Sequence, residues 1–385
     1  MNSWIFNFLN RVIYIAISGS FLVLLPKVYA SGFIFEVSQT LFICSILQQL
    51  LGFNYQSVIL RSLLDGTIKL ENIYTLLLNV YKFTIPLVLV LCFILGAYKE
   101  ISAWLIIIAF VQSFNLVHES IILSKGNYFA SSIIPALRVC YMLLIFINPV
   151  LLSENFLVLI LINELVILSF VVNYRDLFGA VKKIRRVSFS LRQPLLLLVQ
   201  SIFILFLVGW PRISSISEEV IAQYFILSSL ILIPVNIIIS TYTTSFQAKL
   251  KRARFDAQFV LQKELLFFNL LIIGSTIFVF GVANTHYFEF YFFELHSIIK
   301  LEFLAPFVLI SVGYFTLRLI LYMNYLQTLD KLNIYFLSSV LFFMFIASFF
   351  LSSLLGILYL LAFTFFVAPF AYYYAVPRVI EVEGS

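Results

Sequence analysis

Ionisable side chains occur inside the long apolar runs of this sequence. Arg138, Glu164 and Arg318 each lie well within such a run. An ionisable residue at the middle of a membrane helix costs about 2.5–3.5 kcal/mol on insertion, so it is expected to face a cavity or a partner rather than lipid. A guanidinium group keeps its charge when desolvated and offers paired donors to phosphate or carboxylate. These three residues are therefore the first candidates for a binding role.

Further polar residues recur at helical spacing. Gln112, Asn115 and Glu119 are three and four residues apart, which places them on one face of a helix. Two similar stripes are formed by Asn7, Arg11, Tyr14 and Ser18, and by Ser311, Tyr314, Arg318 and Tyr322. Faces of this kind are expected to turn inward. The candidate cavity residues are Arg138, Arg318, Glu164, Arg11, Lys82, Glu119, Gln112 and Asn115.

Several of these candidates also have a purely structural interpretation. Glu164 can pair with Arg138 as a buried structural contact. Lys82 and Glu119 lie nearer the ends of their apolar runs, and their charged ends can reach the cytoplasmic membrane interface. The sequence leaves both interpretations open beside the cavity role.

The amino-acid composition indicates that these side chains lie in membrane-spanning helices. Of the 385 residues, 63% are apolar and 11% are charged, and the mean hydropathy is +1.08. Soluble domains carry about 25% charged residues, so a soluble enzyme and a disordered chain are both excluded. A membrane-spanning helix needs about 20 apolar residues. The apolar runs predict twelve such helices at roughly 8–26, 33–53, 75–97, 101–123, 129–151, 155–174, 193–211, 221–245, 264–283, 302–325, 333–352 and 355–376.

The basic residues predict the orientation of these helices. With the N-terminus placed in the cytoplasm, 17 of the 24 Lys and Arg residues fall on the cytoplasmic side and 4 on the outer side, while 3 lie inside helices. We therefore expect a multi-pass protein of the cell inner (plasma) membrane with both termini in the cytoplasm. The same distribution explains the net charge of +6 without nucleic acid as a partner.

The position of the basic loop near residue 185 predicts two lobes with six helices each. It separates six predicted helices from another six, so we place an N-terminal lobe at 1–187 and a C-terminal lobe at 188–385. The fold class is thus an all-α polytopic membrane protein with about twelve transmembrane helices in two six-helix lobes around a central cavity. Cys44, Cys92 and Cys140 lie in apolar runs without a metal-ligand spacing, and we predict no metal and no cofactor.

Some segments resemble a known family. The stretch Leu24-Leu25-Pro26-Lys27-Val28, followed by Ser38-Gln39-Thr40-Leu41, Leu51-Gly52-Phe53 and Arg61, resembles the opening of polysaccharide-biosynthesis flippases of the multidrug/oligosaccharidyl-lipid/polysaccharide (MOP) superfamily. Similar patches are Gln112 to Asn127, Trp210-Pro211-Arg212-Ile213, and Ala222-Gln223-Tyr224-Phe225-Ile226-Leu227. The chain carries fewer glycines in its first patch than the family often does, and its first helix lacks the acidic ion site of the drug-exporting branch.

The resemblance implies a transporter that flips a polyprenyl-diphosphate-linked oligosaccharide to the outer leaflet by alternating access. Such a protein serves polysaccharide biosynthesis, for example of O-antigen and lipopolysaccharide, and is not an enzyme. Its partners would be the lipid-linked oligosaccharide, membrane lipids and other polysaccharide-assembly membrane proteins. Arg138 and Arg318 would then be the first residues expected at the diphosphate.

Two other functions stay open on the residues. A membrane polymerase or glycosyltransferase would need a positioned acid or base, and the outer loop Asn284 to Glu302 offers His286, Glu289, Glu294 and His296 in a spacing that matches no metal-ligand motif. A drug or cation antiporter would need a carboxylate deep in a helix, for which Glu164 is the central candidate.

Overall fold

The computed structural model describes residues 3–52, 59, 70–96, 103–124, 133–134, 136–172, 177, 192–213, 216–245, 263–326, 330–348 and 353–383. These residues form helices and short connections, so the predicted all-α polytopic membrane class is confirmed. Within them, six helical segments are long and apolar enough to cross a membrane, and shorter apolar helices stand between them. The predicted lobe boundary at 187/188 lies outside the described residues.

The described helices up to residue 209 are α1 (Ser3–Val28), α2 (Ser31–Gly52), α3 (Leu70–Gly96), α4 (Ala103–Ser124), α5 (Leu144–Ile147), α6 (Pro149–Glu154), α7 (Phe156–Val171) and α8 (Arg192–Gly209). A 3₁₀ turn, Cys140–Leu143, precedes α5. Residues 133–134 and 136–138 are also helical.

The helices of the second half are α9 (Glu218–Ser245), α10 (Lys263–Ala283), α11 (His286–Tyr291), α12 (Phe293–Ile298), α13 (Leu304–Leu326), α14 (Asp330–Ser348) and α15 (Leu354–Glu383). The 3₁₀ turns Trp210–Ile213 and Leu301–Phe303 precede α9 and α13. The predicted bounds of the long helices agree with the structure to within five residues, except that α15 extends to Glu383, seven residues beyond its predicted end at 376.

The predicted continuous helix at 129–151 is wrong for its described part. The chain turns at Val139, continues as a 3₁₀ turn, and breaks again at Asn148, whose φ and ψ are −150° and 86°. Asn148 caps α6 by accepting a hydrogen bond from the Leu151 backbone N–H at 3.0 Å, and Pro149 occupies the first helical position. A residue before proline avoids the helical region, which explains this break.

The chain divides into two compact units. The first contains Met1–Ser18 and Glu36–Gly209, and the second contains Gly19–Phe35 and Trp210–Ser385. In the first unit α4 packs along α7. In the second unit α13 is the central helix, because α9, α10 and α15 all pack against it, and α14 packs against α15. Aliphatic and aromatic side chains fill both cores, including Ile108 and Val117 of α4 and Phe307 and Phe315 of α13.

Candidate functional site

Five of the eight predicted cavity residues meet in the first unit. Gln112, Asn115 and Glu119 project from α4, Glu164 projects from α7, and Arg138 ends the helical stretch at 136–138. We call these five residues the polar cluster. The spacing along α4 places its three members on one face, as the sequence predicts, and that face meets α7.

Arg138 is held by two carboxylates. Its Nη2 donates to Glu119 Oε1 at 2.6 Å, and its Nε donates to Glu164 Oε1 at 2.8 Å. The side chains of Arg138 and Glu119 are 23% and 17% exposed, whereas that of Glu164 is 1% exposed. The pairing of Arg138 with Glu164 that the sequence leaves open is therefore confirmed. Glu119 meets Arg138 as well, instead of extending alone to the membrane interface.

Glu164 receives further donors from α4. Its Oε1 accepts from Gln112 Nε2 at 3.2 Å, and its Oε2 accepts from Asn115 Nδ2 at 2.7 Å. The Asn115 amide also donates to the backbone oxygen of Glu164 at 3.0 Å. A buried carboxylate is strongly destabilising unless it is hydrogen-bonded and paired. These donors explain how an ionisable residue fits into α7, which is otherwise almost wholly apolar.

Two residues outside the predicted set support the polar cluster. Cys44 of α2 donates through its thiol to Gln112 Oε1 at 3.2 Å, and Asn163 Nδ2 donates to the backbone oxygen of Leu137 at 2.8 Å. The first contact orients the Gln112 amide so that its nitrogen faces Glu164. Residues 44 and 112 are 68 positions apart, and no spacing in the sequence relates them.

The polar cluster carries an excess of carboxylates. One guanidinium faces two carboxylates, which leaves one formal negative charge among the five side chains. The charge of Arg138 is thus compensated inside the first unit. Asn115 Oδ1 is buried and accepts no hydrogen bond from the described residues. The arrangement offers oxygen atoms to a cation or a proton and does not present a free guanidinium to an anion.

Arg318 lies in the second unit, on α13, in a different environment. Its guanidinium carbon is 6.0 Å from the centroid of the Tyr314 ring, and among the described residues it has no carboxylate partner. Tyr314 donates to Asn236 Oδ1 at 3.1 Å, and the hydroxyl of Ser311 lies 3.5 Å from that of Thr276. Ser311 and Tyr314 are buried, so this part of the predicted stripe does turn inward.

Lys82 joins neither group among the described residues. Lys82 of α3 is exposed, next to Phe83, which is 58% exposed. Lys82 lies near the middle of the apolar segment Ile73–Val90, and its contact with the membrane interface stays a prediction. Arg11 lies in α1, but its side chain is outside the described residues.

His118 is a buried polar residue that sequence reasoning left without a role. Its Nδ1 contacts the Phe114 backbone oxygen at 2.9 Å, and its Nε2 contacts the Tyr74 hydroxyl at 2.9 Å. Because a carbonyl oxygen only accepts, Nδ1 carries the hydrogen and Nε2 accepts from Tyr74. Both ring nitrogens are satisfied, so His118 is a structural link between α3 and α4.

The chain resembles solved transporters along its whole length. A MATE transporter from Vibrio cholerae superposes with a TM-score of 0.56 at 12% identity, covering 99% of this chain and 95% of the other. A MOP-superfamily transporter from Pyrococcus furiosus gives 0.53 at 15% identity, with coverage of 100% and 96%. The outward-facing conformation of a multidrug-resistance MATE transporter gives 0.52 at 16% identity, with coverage of 100% and 96%.

This chain has the MOP-superfamily fold. No protein-family model and no curated protein matches the sequence. The similarity therefore lies in the arrangement of the helices, and only 12–16% of the residues are identical. The Pyrococcus furiosus transporter has a binding pocket of reversed polarity, which suggests a different function for that protein.

Proposed function

We propose that this protein is an alternating-access transporter that moves a polyprenyl-diphosphate-linked oligosaccharide from the cytoplasmic to the outer leaflet. Three observations support a transporter. The chain is a polytopic helical membrane protein, it has the MOP fold over its full length, and the solved proteins it resembles are described as transporters. The sequence patches at the ends of α1, α2 and α8 favour the polysaccharide branch.

Arg318 is the residue that would bind the anionic diphosphate in this proposal. It lies eight residues before the end of α13, about 12 Å along the helix axis. A guanidinium at that depth costs free energy unless it meets water, a partner or a bound anion. Among the described residues no carboxylate compensates it, in contrast to Arg138. Arg318 is therefore the residue we assign to the diphosphate, and Arg138 is assigned a positioning role within the polar cluster.

Transport of a labelled lipid into the opposite leaflet tests this assignment. Purified protein is reconstituted into liposomes with a fluorescent polyprenyl-diphosphate sugar. We expect Arg318→Ala to lower the initial rate by about 10-fold or more, because a hydrogen bond to a charged group contributes about 1.5–3 kcal/mol. Arg318→Lys keeps the charge without the paired donors and should fall between Arg318→Ala and the unaltered protein.

Lys263→Ala is the matched control for this experiment. Lys263 begins α10, is exposed and belongs to the same unit, so its loss should leave the rate unchanged. Equal rates for the unaltered protein and Arg318→Ala would contradict the assignment of Arg318 to the diphosphate. If the unaltered protein also failed to move the lipid, the proposed substrate class would be wrong.

The polar cluster favours a second candidate, a cation-coupled antiporter. Its two carboxylates exceed its one guanidinium, and Glu164 is almost fully buried. Such a site can take up a proton or a metal cation in exchange for a cationic substrate. This observation concerns the first unit, whereas Arg318 lies in the second.

An imposed ion gradient separates the two candidates. Liposomes with an acidic or a sodium-rich interior are assayed for uptake of a fluorescent lipophilic cation and, separately, for flipping of the diphosphate lipid. In the antiporter, Glu164→Gln abolishes gradient-driven uptake of the dye, and the unaltered protein leaves the lipid in place. In the flippase, the lipid moves and the dye does not.

A further inference from the structure

The connection between α10 and α13 carries an exposed aromatic surface. Tyr287, Phe290, Tyr291 and Phe293 are 80%, 75%, 60% and 65% exposed. We call these four residues the aromatic patch. The six residues of α11 include no buried side chain. Rings of this size contribute a large apolar area, and a contiguous apolar surface of this kind marks a place of contact with a partner.

The lengths of the flanking helices fix where the aromatic patch lies. α10 has 21 residues and is about 31 Å long, which equals the hydrocarbon thickness of a bilayer of about 30 Å. Ala283 therefore lies near the end of the hydrocarbon region. Tyr287 follows four residues later, and Leu301 begins the return toward α13. Both ends of the connection are thus held at the membrane boundary, where the headgroup layer is about 5–8 Å thick.

Hydrogen bonds hold this connection against the rest of the second unit. His296 Nδ1 donates to the Ala283 backbone oxygen at 2.9 Å, and Asn284 Nδ2 donates to the Ile299 backbone oxygen at 3.2 Å. Leu295 and Ile298 of α12 are buried. α12 is therefore anchored to the second unit and fixes the position of the aromatic patch.

Lys27, at the end of α1, reinforces this connection from the other side. Its Nζ donates to the Tyr291 backbone oxygen at 3.2 Å and lies 5.6 Å from the centroid of the Phe292 ring. Phe292 in turn packs against Phe288, with ring centroids 5.0 Å apart. Phe288 and Phe292 thus pack internally, which leaves the aromatic patch as the outward-facing set.

The aromatic patch continues the exposed apolar surface of α10. Five of the 21 residues of α10 are buried. Ile277, Phe278 and Val282 are 49%, 70% and 39% exposed in its last two turns. In a membrane these side chains contact acyl chains. The patch begins four residues beyond Ala283 and extends the same apolar exposure into the headgroup layer.

We propose that the aromatic patch inserts into the headgroup–acyl boundary of the leaflet in which α10 ends, and so anchors the second unit to that leaflet. The partner is the zwitterionic phospholipid interface. Tyr287 and Tyr291 place hydroxyl groups among the headgroups, and Phe290 and Phe293 lie among the first acyl carbons, where aromatic residues are enriched. The exposed carboxylates Glu289 and Glu294 alternate with the rings and disfavour attraction to anionic lipid.

Spin labels measure the depth of the aromatic patch directly. In full-length protein with Cys44, Cys92 and Cys140 replaced by alanine, Tyr287→Cys and Phe290→Cys are labelled one at a time. The variants are placed in phosphatidylcholine nanodiscs, and collision rates with oxygen and with a water-soluble nickel chelate are measured. We expect oxygen to collide at least twofold more effectively than the nickel chelate at both positions.

Two further positions calibrate the experiment. Phe278→Cys lies on the lipid-facing side of α10 and should strongly favour oxygen, and exposed Ser297→Cys on α12 should favour the nickel chelate. Preference for the nickel chelate at positions 287 and 290 would overturn the proposal, because the rings would then lie in water. Protection from both reagents would overturn it too, since another protein surface would then cover the patch.

Discussion

At the scale of single residues, the polar cluster shows how an apolar helix tolerates charge. Glu164 is 1% exposed and binds side-chain donors from Arg138, Gln112 and Asn115. The cost of burying each charge is met by the others, so removing one partner is more damaging than replacing the set. Arg138 is thus first a structural residue, and any effect of its loss on transport includes an effect on folding.

Replacement of Arg138 tests this interpretation. We expect Arg138→Met to destabilise the protein by about 3 kcal/mol, because two carboxylates lose their counter-charge in a buried site. Thermal unfolding in detergent, followed by intrinsic fluorescence, should show a Tm lower by several degrees. Lys82→Met, which removes an exposed cation from α3, should leave the Tm unchanged.

A combined variant separates charge from packing in the same experiment. Arg138→Met together with Glu119→Gln and Glu164→Gln removes the uncompensated carboxylates while it keeps the size of both side chains. The Tm should recover part of its loss, since neighbouring substitutions in one network are not additive. If the triple variant is the least stable of the series, the loss arises from packing and the electrostatic interpretation is wrong.

At the scale of helices, small residues and polar links decide how closely α13 packs. A Cβ atom built on Gly313 would lie 2.4 Å from the Phe365 backbone oxygen, so α13 and α15 approach closely at this point. In membrane proteins such close approaches supply much of the attraction between helices. Near the end of α13, the amide of Asn324 donates to Asn333 Oδ1 and to the Tyr372 hydroxyl, which joins α13, α14 and α15.

Gly313→Ala should therefore destabilise the second unit. The added methyl group meets backbone atoms that cannot move aside, and overpacking of this kind costs about 1–3 kcal/mol. Gly274→Ala is the matched control, because a Cβ atom there meets nothing within 4 Å. Both variants are compared by thermal unfolding. Equal Tm values would mean that the α13–α15 contact relaxes without cost.

At the scale of the whole molecule, the orientation in the membrane follows from the distribution of basic residues. The prediction places both termini in the cytoplasm and the connection between α10 and α13 outside. It can be tested with a membrane-impermeant maleimide on intact cells that express a cysteine-free variant. We expect Ser297→Cys and Ser353→Cys to be labelled, while Lys125→Cys is labelled only after the cells are opened. The reverse pattern would invert the topology and the direction of transport.

Part of this protein was determined by sequence alone. The membrane class, the bounds of α10, and the shared face of Gln112, Asn115 and Glu119 are local properties, because each depends on residues within one apolar run. The pairing of Glu164 with Arg138 was foreseen only as an alternative. Pro149 signals the break at Asn148, which the predicted continuous helix does not include, and the helices of the α10–α13 connection have only six residues each, too few to show a helical period.

Only the tertiary structure decided which charges meet. Arg138 and Arg318 look alike in the sequence, since each is an arginine in an apolar run. The side chain of Arg138 meets Glu119 and Glu164, whereas that of Arg318 lies against Tyr314. The difference depends on how each helix is rotated about its axis and on what packs beside it. Those quantities arise from packing between distant segments, and the pattern of residues within one helix does not contain them.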